Sequence, residues 1–143
     1  MTHDSAQLAR AERWVRASCW IGAVTDAGAS IQMLFPRVFA FAYRPYGFSP
    51  GPDFRFAMGM GASLMLGWTA LLLWATRRPI ERRGVLLLTA VPVIVGLVVN
   101  EIAGLADGFL PLGPLAPVFV LQLVLSTLFV VSYVMAARAR GSG

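Results

Sequence analysis

Four stretches of this chain, at about residues 14–35, 56–76, 85–105 and 117–137, are apolar over the length that a helix needs to cross a bilayer. A hydrocarbon core about 30 Å thick takes roughly 20 helical residues. In lipid a segment must satisfy its backbone polar groups internally, and a helix does so. Four such runs use most of the 143 residues and leave no room for a separate soluble domain. The composition agrees, with 57% hydrophobic and 13% charged residues, too few charges to cover a soluble globule of this size. The expected architecture is all-α: an integral membrane four-helix bundle forming a single domain.

The connections fit this division. Pro36 closes the first run, and the sequence RRPIERRG at 77–84 separates the second from the third. Residues 36–54, PRVFAFAYRPYGFSPGPDF, hold four prolines together with Phe39, Phe41, Tyr43, Tyr46, Phe48 and Phe54. Aromatic side chains of this density belong at a membrane interface, where the segment has room for a short helix. The apolar, proline-rich stretch 106–117 dips toward the headgroups in the same way.

All twelve basic residues are arginines. An even number of spans puts Arg10, Arg13, Arg16, Arg77, Arg78, Arg82, Arg83, Arg138 and Arg140 on one side, and Arg37, Arg44 and Arg55 on the other. Nine against three places both termini in the cytoplasm by the positive-inside rule, and the expected location is the bacterial cytoplasmic membrane. The first apolar run is long, starts late and lacks a cleavage site, so it reads as an uncleaved helix. The arginines flank apolar runs instead of forming a patch, which makes lipid phosphates their partners and excludes nucleic acid. Cys19 is the one cysteine and His3 the one histidine. A disulfide, a CxxC pair and histidine-held haem or zinc are therefore excluded, and no cofactor is expected.

The informative residues are the polar ones inside the apolar runs. Asp26 lies near the middle of the first, where an ionised carboxylate costs roughly 2.5–3.5 kcal/mol on insertion scales, and intramembrane acids are functional candidates by default. Topology brings Gln32, Arg55, Asn100 and Glu101 into the same outer half, above Asp26. This predicts an outward-facing polar pocket with those five residues as ligand contacts. The structural alternatives are an Asp26 bonded to Ser30, Gln122 or Asn100, and a Glu101 paired with Arg55. An arginine–carboxylate pair could also recognise an anionic headgroup. Arg55, Gly59, Ser63 and Gly67 share one helix face, as do Gly96, Asn100 and Gly104, and small residues at this spacing let helices approach closely. Gln122 and Ser126 share a face of the fourth run. Met33, Met58, Met60 and Met65 read as adaptable packing.

Asp26, the tripeptide Leu34-Phe35-Pro36, the run RFAMGMGASLMLG from Arg55 to Gly67 and the basic turn Arg77-Arg78-Pro79 together resemble small bacterial membrane proteins of the DoxX-like and DUF4345-like group. The resemblance covers residues 15–105 and implies a four-helix fold. A second likeness is to EXPERA-type ligand-binding membrane proteins and sterol isomerases, whose intramembrane carboxylates face an apolar cavity. Asp26 and Glu101 stand where that likeness would need them, while its histidine is missing.

Two function classes follow, with a third behind them. The first is a non-catalytic module that binds a lipid or lipophilic small molecule, or serves as an accessory subunit of a membrane complex, with a homodimer among its forms. The second is a small membrane enzyme, an isomerase, cyclase or epoxide-opening catalyst, with Asp26 and Glu101 as its catalytic acid and base. A proton-coupled transporter ranks third, because four helices are too few for an inverted-repeat carrier without dimerisation.

Overall fold

The computed structural model describes the backbone of residues 2–141 and the side chains of residues 6–140, and its described residues form helices and short connections with no strand. The helices are α1 (Thr2–Leu34), α2 (Pro36–Tyr43), α3 (Pro52–Ala75), α4 (Gly84–Ala106) and α5 (Leu112–Gly141). The side chain of His3 lies outside the described residues.

Three of these helices, α3, α4 and α5, are long and apolar enough to cross a membrane. The sequence predicts four. α1 has the length, but Asp26, Gln32 and its serine and threonine hydroxyls dilute the apolar character of its second half. It nevertheless packs along both α3 and α5. Leu64 on α3 and Leu123 on α5 are 74% and 69% exposed, and the outer faces of the long helices are apolar along their length. A surface of this kind is suited to lipid.

Local sequence explains the breaks. Proline disfavours a helical residue before it, so α1 stops at Leu34, Phe35 is extended and Pro36 opens α2 at its first position. The segment 36–54 thus contains a helix of eight residues. α2 ends on Arg44, which takes the left-handed conformation at φ 47°. α3 begins with Gly51 as N-cap, Pro52 next and Asp53 in the first turn, where its charge complements the helix dipole. α4 contains one widened turn, Thr89–Ile94, built around Pro92, which lacks an N–H and would crowd the preceding turn of a regular helix. α4 closes at Gly108, whose φ of +70° suits glycine, and the N–H groups of Phe109 and Leu110 return to the Gly104 carbonyl.

The core occupies the end of the bundle nearest the 76–83 turn. Val15, Cys19 and Ala23 of α1 meet Leu72 and Ala75 of α3, Leu86 and Ala90 of α4, and Phe129 and Ala136 of α5. Ser18 and Ser132 share a buried hydrogen bond of 2.8 Å between α1 and α5. Packing is tight at Gly22, where a Cβ would sit 2.9 Å from Phe129 Cζ and 3.1 Å from Leu72 Cδ1. At the turn itself the Arg82 guanidinium stacks 3.4 Å from the centre of the Trp74 ring and donates to the Trp74 carbonyl.

The predicted small-residue faces are not the packed ones. Gly59, Gly67 and Gly96 have no neighbour within reach of an added Cβ, and Ser63 and Asn100 are exposed. α3 instead turns Ala62, Met65, Leu72 and Ala75 inward, and Gly61 fits beneath Met33 of α1. The spacing was right, but the face is rotated, since each residue advances a helix by about 100°. The face is decided by the larger apolar residues, which bury the most area.

Candidate functional site

Beyond Gly22, at the α2 end of the bundle, lies a cavity of about 400 Å³. All five helices contribute to it: Asp26 and Gln32 from α1, Phe39 and Tyr43 from α2, Met58 and Met65 from α3, Thr89, Leu97 and Glu101 from α4, and Gln122, Leu125 and Phe129 from α5. The local cause is the sequence of α1. One turn past the Gly22 contact it offers Asp26, Gly28 and Ala29, whose small volumes leave space beside α1.

α2 closes one end of the cavity. Phe39 is buried against Tyr43, Phe48 and Phe54, with ring centres 5.0–5.5 Å apart. The Tyr46 N–H donates to the Phe109 carbonyl at 3.0 Å and joins the two connecting loops over the same end. Burial, and then the negative charge of Glu101, push the Tyr43 phenol above its ordinary pKa. On the side, Val24 and Leu121 line the cavity and are yet 68% and 46% exposed. The cavity therefore opens laterally, between α1 and α5, onto the apolar surface of the bundle.

Asp26 is 8% exposed, and its Oδ2 accepts no hydrogen bond among the described residues. None of its three expected partners bonds to it. The Ser30 hydroxyl donates to the Ala27 carbonyl at 2.7 Å, Gln122 donates to Glu101 Oε1 at 3.0 Å, and Asn100 donates to the Gly96 carbonyl at 2.9 Å. Glu101 is half-buried, and its second oxygen, Oε2, is buried without a bond, as is the amide oxygen of Gln122. Three buried acceptor atoms on three cavity-lining residues thus have no donor among the described residues.

The site as predicted from sequence is partly assembled. Asp26, Gln32 and Glu101 line the cavity; Arg55 and Asn100 do not. Arg55 is exposed and borders a separate groove with Arg37, Pro36 and Gly59, and it forms no ion pair with Glu101. Asn100 stands one residue before Glu101, about 100° away around the helix, so turning Glu101 inward turns Asn100 out. The expected anion-binding arginine is therefore absent from the cavity wall. Gln122 and Tyr43 are members that the sequence reading left out of the site. The signal for Gln122 was there: it is the one amide in an otherwise apolar run and faces inward.

Comparisons with protein-family models, curated proteins and solved structures find no match for this chain. The site is read from its own chemistry. Among the described residues, no three His, Cys, Asp or Glu side chains come together as a metal-ligand set. What the cavity offers is an apolar volume with two carboxyl groups and one amide oxygen set into its wall.

Proposed function

We propose that this chain is a small integral membrane protein of four spans, with both termini cytoplasmic, that binds a lipid or lipophilic small molecule in the cavity beside Asp26. The nine-to-three division of arginines supports the orientation, which puts α2 and the cavity in the outer leaflet. The carrying observation is the combination of a 400 Å³ apolar space, a lateral opening at Val24 and Leu121, and a buried carboxyl oxygen without a partner. Binding sites for small molecules are apolar concavities of this order with a few convergent polar groups. A buried polar atom left unbonded costs about 1–3 kcal/mol, so its retention argues for a partner supplied from outside the chain.

The experiment is photolabelling in lipid nanodiscs with an alkyl diazirine. Saturable labelling that maps to the cavity and is lost on filling it with Ala29→Phe supports the reading. Labelling that is unsaturable and spread over the lipid-facing surface removes it.

The presence of Asp26 and Glu101 in one cavity supports a second reading, acid–base catalysis on a lipophilic substrate. Turnover of a candidate substrate that survives Asp26→Asn combined with Glu101→Gln would eliminate it.

A further inference from the structure

We propose that the cavity selects lipophilic amines, with the alkyl or ring body in the apolar space and the N–H groups of a protonated nitrogen donated to Asp26, Glu101 and Gln122. This rests on the lipophilic-ligand reading above and adds the chemistry of the head group.

The hydrogen-bonding groups of the cavity wall carry this preference. Thr25 and Thr89 both line the cavity, but their hydroxyls donate to the carbonyls of Ile21 and Val85 at 2.9 and 2.8 Å. Gln122 donates to Glu101, and the neighbouring Ser30 to Ala27. These donors are committed, and the Tyr43 hydroxyl and the Gln32 amide are the other side-chain donors in the wall. Against them stand Asp26 Oδ2, Glu101 Oε2 and Gln122 Oε1, all buried and unbonded. No arginine lines the cavity.

Such a wall discriminates by charge and by hydrogen count. A fatty acid would bring a third carboxylate into a space that holds two and no cation. An alcohol supplies one O–H to three acceptors. A primary ammonium supplies three N–H groups and a positive charge, and charge-assisted hydrogen bonds are roughly twice as strong as neutral ones. Gln122 is 7% exposed, and its amide oxygen adds a third acceptor beside the two carboxyl groups.

The test compares dodecylamine, dodecanol and dodecanoate as competitors of the diazirine label, in nanodiscs of zwitterionic lipid, with concentrations expressed per lipid. The wild-type chain is expected to release its label to dodecylamine at a concentration about tenfold lower than to dodecanol, a ratio equivalent to about 1.4 kcal/mol. Dodecanoate is expected to be without effect. Asp26→Asn combined with Glu101→Gln should lose the preference for the amine over the alcohol, whatever the level of labelling. Dodecanol matching dodecylamine on the wild-type chain, or a preference that survives both substitutions together, would overturn the inference while leaving the lipophilic site standing. A label that never enters the cavity would overturn both.

Discussion

Gln122 on α5 donates a 3.0 Å hydrogen bond to Glu101 on α4, so that two membrane-length helices are joined at the wall of the cavity by a pair of polar side chains. Removing Gln122 alone strips Glu101 of its one bonded oxygen. Gln122→Leu is expected to lower stability by about 1 kcal/mol, within the range for polar pairs between membrane helices. Adding Glu101→Leu should return much of that loss, because two apolar partners leave no acceptor unbonded. Thermal or denaturant unfolding in micelles, run as a double-mutant cycle, measures the coupling.

Gly22 on α1 packs tightly against Leu72 of α3 and Phe129 of α5. Gly22→Ala puts a methyl group 2.9 Å from Phe129 Cζ, and Phe129 and Leu72 are both fully buried with little room to retreat. A loss of about 1–3 kcal/mol is expected, as for overpacked cores. A partial rescue by Phe129→Leu, read as melting temperature, would tie the loss to that ring.

Asp26 separates binding from folding. Because its buried oxygen has no partner in the protein, Asp26→Leu should leave stability unchanged or raise it by about 1 kcal/mol or more, the reverse of a structural acid. The same substitution should abolish the advantage of dodecylamine. Melting curves with and without the amine decide both points together.

Arg55 provides the contrast. It borders the groove near Pro36 and lies off the cavity wall, so Arg55→Ala should leave binding of dodecylamine within about twofold of wild type. A large loss would return Arg55 to the site.

Thr89, the first residue of the widened turn of α4, receives the Trp68 indole N–H at 3.0 Å. Thr89→Val leaves the indole without its acceptor and is expected to cost about 1 kcal/mol. A shift in tryptophan emission would report the altered environment of Trp68.

The helices were legible because hydropathy and proline act locally. Pro36 and Pro52 place the ends of α1 and the start of α3 within a few residues of their sequence positions. The apolar windows fall short of the helices at both ends, since Leu112–Gly141 extends through Pro114 and Pro117 at one end and the arginines at the other. Pro114 in the first turn lacks only an N–H that has no helical partner there, and Pro117, further in, gives up one helical bond. Facing is a different matter. A pair of neighbouring residues such as Asn100 and Glu101 cannot both point inward, and nothing in the sequence says which does. That choice depends on the packing of α4 against α5, where Gln122 meets Glu101. The pairing of Arg55 with Glu101 failed for the same reason, because depth in a membrane is set by topology and azimuth by tertiary contacts.

The central claim is that the space beside Asp26 holds a lipophilic molecule drawn from the bilayer. Photolabelling with the alkyl diazirine, mapped by peptide mass spectrometry, tests it most directly. The account predicts saturable label near Val24, Asp26, Leu121 and Gln122, lost in Ala29→Phe. Label distributed over lipid-facing positions such as Leu64 and Leu123, and unchanged in Ala29→Phe, would contradict it.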